Sequence, residues 1–110
     1  YDVDVTKDLG FNMARKHIKV EPLRWYAYCD RVGLLVWQDF PSGMKADGSQ
    51  FVQPNQAEDF QWNEADKAIF DRELSAMIQH LKNHPCIVVW VPFNEGWGQH
   101  DTNEILKRVQ

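Results

Sequence analysis

No apolar run in the 110 residues approaches the roughly 18 needed to cross a bilayer, so no membrane partner is expected. The opening residues, YDVDVTKDLG, lack a basic stretch followed by an apolar one and do not read as a secretion signal. Positive charge is in short supply. Lys and Arg total 12 against 16 for Asp and Glu, a net charge of -4, which argues against nucleic acid as the partner. Only two cysteines occur, Cys29 and Cys86, too few for a disulfide framework or a structural zinc site. Both sit in apolar segments and read as buried thiols. Close-spaced metal motifs such as HExxH are absent. Ligation by His17, Asp39, His84, Glu95 and His100 would need convergence from distant segments, so neither a metal nor a cofactor is expected. There is no internal repeat and no low-complexity stretch.

What is present fits one domain with a packed core: 44% hydrophobic, 25% charged and 13% aromatic residues. The aromatic share includes five Trp. Tryptophan fills cores and also makes flat platforms for sugar rings or bases, and composition alone does not choose between these.

Two short apolar runs, Leu34 to Phe40 and Cys86 to Phe93, are rich in Val, Ile and Trp without strict alternation. They read as strands buried on both faces, the habit of parallel sheets. Between them, Phe70, Leu74, Met77, Ile78 and Leu81 fall on one face of a helix running from Asn63 to Asn83. Asn63 suits its cap, Glu64 and Asp66 its first turn, and Pro85 lies past its end. An earlier helix spans about Pro22 to Val32, with Gly33 past its end. Phe11 to Val20 reads as a further strand, and a last helix starts near Asp101 or Thr102. Strands alternating with helices imply a parallel α/β sheet. The stretch from Pro41 to Trp62 reads as a long loop at the carboxyl edge of the sheet, where α/β active sites collect.

Each expected strand ends in polar residues: Arg15, Lys16 and His17; Gln38 and Asp39; Asn94 and Glu95. Barrel enzymes build sites from several strand ends in this way. The third strand and its tail, HPCIVVWVPFNEGWGQ (84–99), resemble the fourth barrel strand of family 2 glycoside hydrolases, the β-galactosidase, β-glucuronidase and β-mannosidase relatives. YAYCDRVGLLVWQDFPSG (26–43) resembles the preceding helix and third strand. GFNMARKH (10–17) resembles the second strand with its Asn-x-x-Arg pattern. Three motifs in order cover about residues 9 to 99.

This resemblance implies a partial (β/α)8 TIM barrel, roughly strands two to four and their helices, with residues 1–110 forming a fragment of one catalytic barrel domain. It implies a retaining hydrolase of β-O-glycosidic bonds, with a carbohydrate as partner and Glu95 as general acid/base. Asn94 would bind the sugar hydroxyl beside the reacting carbon, Arg15 would line the site floor, and Asp39 would sit at the rim. His17 and Trp97 complete the implied substrate contacts. His17 stands one place earlier than the family's usual histidine. The family's nucleophile, a Glu on strand seven, has no counterpart in the chain. A retaining enzyme needs two carboxyl groups ~5 Å apart, and eight strands need ~250 residues. The chain is therefore expected to be a piece of a larger enzyme, inactive by itself.

Plainer roles compete at each position. Glu95 could cap the following helix, and Asp39 and Arg15 could pair with each other. His84 before Pro85 reads as fixing the turn into the strand, while His80 and His100 read as surface residues. Trp97 could stack on sugar or pack, whereas Trp37 and Trp90 read as core. Trp90, Phe93 and Trp97 are expected to ring Glu95. A non-catalytic carbohydrate-binding or inactive barrel segment is the rival reading. Three strands of eight leave open edges and bare apolar faces, so the isolated chain is expected to self-associate.

Overall fold

A computed structural model of the chain describes residues 1–41 and 57–110. Among these, the elements run α1 (Asp2–Asp8), β1 (Met13–Lys16), α2 (Leu23–Val32), β2 (Leu35–Asp39), α3 (Glu64–Leu81), β3 (Ile87–Val91) and α4 (Thr102–Val109). The strands form one parallel sheet in the order β1-β2-β3. Arg15 lies opposite Trp37, and Asp39 opposite Val91, with an irregularity in the β2–β3 register at Val36/Trp37. This is the α/β alternation that the apolar runs and the helical periodicity imply, and its three strands are too few to close a barrel.

Local chemistry explains the element ends. The Asn63 side chain accepts a hydrogen bond from the Asp66 N–H at 2.9 Å and opens α3. Phe70, Leu74, Met77 and Leu81 of α3 are buried, with Ile78 packed beside them. Gly33 ends α2 in the left-handed region (φ 71), where a Cβ would strain the backbone. Pro22 stands at the extended cap position of α2, one residue before its first turn. The core joins these pieces: Val3, Tyr26, Cys29, Leu34, Val36, Phe40, Cys86 and Ile105 cluster with the buried face of α3. Both cysteines are free and buried, and burial pushes the Cys29 thiol up to about 11 and Cys86 upward as well, so both are poor nucleophiles.

Three expectations need correction, and one element was not foreseen. Phe11 to Val20 is not strand throughout: β1 spans four residues, because Ile18 turns into a left-handed conformation (φ 46) and gives its N–H to Asp39 instead of a strand partner. α1 was not foreseen, since one buried residue in seven, Val3, leaves no periodicity to read. The strands are not buried on both faces. On β2, Val36 and Gln38 are buried, whereas Leu35 and Trp37 are 42% and 40% exposed, because helices cover only one side of the sheet among the described residues. Trp37 is therefore not core. The loop expected from Pro41 to Trp62 lies mostly outside the described residues, and only Pro41 and residues 57–62 of it are described.

Candidate active site at the carboxyl edge of the sheet

Parallel strands put all their carboxyl ends on one edge, and one side chain links the three. Arg15, near the end of β1, donates through Nε to Asp39 Oδ1 and through one terminal nitrogen to Asp39 Oδ2, both at 2.9 Å. The same terminal nitrogen reaches Asn94 Oδ1 at 2.7 Å, just past β3. Asp39 is fully buried, and its Oδ2 also accepts the Ile18 N–H at 3.1 Å. A two-pronged guanidinium–carboxylate pair fixes orientation as well as charge. The hydrogen bond to Asp39 raises the pKa of Arg15, burial opposes it, and the charges of Asp39 and Glu95 add to the rise.

Glu95 follows Asn94 directly. Its backbone is left-handed (φ 50), as are Gly96 (φ 77) and Gly98 (φ 64), so the chain doubles back at the rim. Asn94 is buried, and Glu95 is exposed. Of the aromatics expected around Glu95, Trp90 and Phe93 have core contacts, and Phe93 stacks on Phe70 with ring centroids 5.2 Å apart. Trp97 is partly buried in the same turn, and its N–H bonds the Asn94 carbonyl at 2.9 Å. His17 is exposed one residue past β1, outside the hydrogen-bonded cluster. Thus Arg15, Asp39 and Asn94 are in contact, with Glu95 adjoining them.

Tyr26 and Glu21 help organise this edge, and Asp30 the entry to β3; none of the three was singled out by sequence. The Tyr26 hydroxyl donates to Gln38 Oε1 at 2.5 Å and accepts the Glu21 N–H at 3.1 Å. Gln38 Nε2 donates to the carbonyls of Lys19 and Asp39. This buried network fastens the turn after β1 to the end of β2. Glu21, bridged by Lys16 at 2.6 Å and Lys19 at 2.9 Å, has its pKa lowered chiefly by those bonds. His84 fixes the entry to β3, as its place before Pro85 implies: its Nδ1 lies 2.6 Å from Asp30 Oδ2, while Asp30 Oδ1 accepts the Cys86 N–H.

His100 is not a surface residue. It is 1% exposed, with its ring packed against Phe70, Phe93 and Trp62, its Nδ1–H on the Gly98 carbonyl at 2.7 Å and no partner on Nε2. It follows a polar run in sequence, which hides its burial. No group of three or more His, Cys, Asp or Glu side chains suited to a metal occurs among the described residues, and no described helix is long and apolar enough to span a membrane.

Polar residues gathered at the carboxyl ends of adjacent parallel strands define the class: a sector of a (β/α)8 barrel of the kind that carries enzyme sites. A family model described as "Glycosyl hydrolases family 2, TIM barrel domain" matches residues 1–110, and the chain belongs to that family. It is 35% identical over 108 residues to a beta-galactosidase of Yersinia enterocolitica and 33% identical to one of Yersinia pestis, covering 97% of the chain in each case. It spans 9% of the length of those relatives. Among solved structures, a beta-glucuronidase from an uncultured Clostridium species matches with a TM-score of 0.63 and 27% identity, over 81% of this chain and 14% of that one.

Proposed function

We propose that this chain supplies the acid/base half of the active site in a retaining glycoside hydrolase that cleaves β-O-glycosidic bonds. The observation that carries the reading is the Arg15–Asp39–Asn94 bridge across three strand ends, with Glu95 presented immediately beyond it.

Glu95 gives a proton to the leaving oxygen while a second carboxylate attacks the anomeric carbon and forms a glycosyl–enzyme bond. Glu95 then takes a proton from the water that hydrolyses that bond. The attacking carboxylate belongs to a strand outside these 110 residues, so the chain alone holds one half of the pair. Asn94 gives its Oδ1 to Arg15, which leaves its amide N–H groups as donors for a sugar hydroxyl. Asp39 serves the substrate through Arg15, whose guanidinium it orients. Trp97, partly buried in the turn after β3, and His17, exposed just past β1, complete the proposed substrate contacts.

The test uses the full-length protein with Glu95→Gln, assayed on β-glycosides of graded leaving-group quality. Turnover on poor leaving groups should fall by about 10² to 10⁴, with activated aryl glycosides less affected. Added azide, which needs no general base, should restore turnover on the activated substrates. Unchanged activity on poor leaving groups would place the acid/base elsewhere.

A further inference from the structure

We propose that Asp59 and Trp62 are positioning residues for the turn that presents Glu95. The proposal rests on the reading of Glu95 as acid/base and adds what holds it in place.

The turn after β3 has an intrinsic problem. Three of the four residues Glu95, Gly96, Trp97 and Gly98 sit in the left-handed region, and one of these is a glutamate, which has a Cβ to accommodate there. Such a conformation persists only where the surroundings over-determine it. Bonds within the turn, Trp97 N–H to Asn94 O at 2.9 Å and Gln99 N–H to Gly96 O at 3.3 Å, shape it without tying it to the rest of the fold.

On the Asn94 side, the tie is Arg15. On the other side, the ties come from three residues, Asp59, Phe60 and Trp62, some 40 positions earlier. The Phe60 N–H donates to the Gln99 carbonyl at 2.8 Å, and Trp62 Nε1–H to the Gly98 carbonyl at 3.0 Å. Asp59 Oδ1 accepts from Gln99 Nε2 at 2.9 Å, and its Oδ2 from the Thr102 N–H at 3.0 Å and the Thr102 hydroxyl at 2.8 Å. Asp59 is thus the cap of α4. Asp101, at the cap position, is left-handed (φ 42), makes no side-chain cap bond, and pairs instead with Lys67 at 2.8 Å. The Trp62 ring also packs on His100, with centroids 5.4 Å apart, and His100 shares the Gly98 carbonyl.

The clamp is itself anchored. Trp62 directly precedes Asn63, the cap of α3, so its indole projects from the start of an 18-residue helix. Rigid support of this kind is what a proton-transfer group requires, because small displacements of a reacting group cost rate steeply. Glu95 is therefore held from both sides: by β1 and β2 through Arg15, and by α3 and α4 through Trp62 and Asp59.

A clamp and mere packing predict different kinetics. In the full-length protein, Trp62→Phe keeps a ring on His100 and removes only the donor to Gly98. Turnover on alkyl β-glycosides, which need protonation of the leaving group, should fall about tenfold, while activated aryl glycosides stay within about twofold. Asp59→Asn should shift the same ratio in the same direction. Thr102→Val, which removes a single hydroxyl, provides a milder third variant should either of the others melt below the assay temperature. Equal losses on both substrate types, or no loss on either, would overturn the clamp. Glu95→Gln run beside them separates the two claims. If that variant shows the leaving-group-dependent loss and the clamp variants do not, only the clamp fails. If Glu95→Gln shows none, the acid/base reading and the clamp fall together.

Discussion

Tyr26 shows how much of a site can rest on a residue that never touches substrate. It is fully buried, and its hydroxyl is the meeting point of Gln38 and the Glu21 N–H. Removing it strands the buried Gln38 Oε1 and the part-buried Glu21 N–H, and leaving a buried donor or acceptor unmade costs its full desolvation penalty. Tyr26→Phe keeps the ring that packs on Trp25 and His84. It should therefore lower stability by about 1–3 kcal/mol, seen as a lower urea midpoint at unchanged slope. An unchanged midpoint would mean that water replaces the hydroxyl. Sequence reading found Gln38 and Asp39 as strand-end residues but not Tyr26, because a tyrosine on an amphipathic helix face looks the same whether its hydroxyl is wet or paired. Arg15, Asp39 and Asn94 were legible for the opposite reason. Polar residues that close apolar strands must lie on one edge, and the parallel register brings them within hydrogen-bond reach.

At the scale of elements, strong periodicity made α3 readable to within two residues at its end, where the pattern runs on to Asn83 and the helix stops at Leu81. The apolar runs overshot β2 and β3 because Leu34, Phe40, Cys86 and Phe93 are core or core-packed residues flanking the strands proper. Burial and strand pairing are different properties, and an apolar run reports only the first. Contacts between elements were the least legible. Asp30 of α2 holds the entry to β3, and Asp59 caps α4 from far away in sequence; neither leaves a local pattern. Both have a measurable signature. Burial pushes each carboxyl up, but hydrogen bonds from Cys86 and His84 to Asp30, and from Thr102 and Gln99 to Asp59, outweigh it and hold both below the ordinary 3.8. A carboxyl lowered on folding contributes stability that is fully present above its unfolded value and lost as the pH falls through its folded value. Unfolding free energy should therefore decline as the pH drops below about 4. Asp30→Asn, which can still accept from the Cys86 N–H, should flatten part of that decline. An unchanged pH slope in the variant would show that the lowered carboxyl lies elsewhere.

At the scale of the whole molecule, the bare side of the sheet is the dominant physical feature. Met13 lies opposite Leu35 in register, Trp37 follows two residues on, and all three are at least 40% exposed, with Val88 of β3 at 51%. Each neighbouring position on β2, Val36 and Gln38, is buried under the helices. The alternation is that of a barrel strand, one side toward the helical layer and the other toward a barrel interior. The pattern was legible as apolar, but its exposure was not, since a run of Leu, Val and Trp states that a strand wants cover on both sides and not which neighbours supply it. Three strands cannot close a barrel, so among the described residues no element covers that interior face or the outer edges of β1 and β3. Expressed alone, the chain should associate through this face, with sedimentation velocity showing dimers or larger species that grow with concentration. Leu35→Lys combined with Trp37→Lys places two like charges on the face while sparing the buried side. The double variant should shift the distribution toward monomer without loss of helical signal. A wild-type chain that stays monomeric at high concentration would mean that the face is covered from within the chain. Association that the two lysines leave intact would move the contact to the strand edges, where backbone pairing is indifferent to side-chain charge on the interior face.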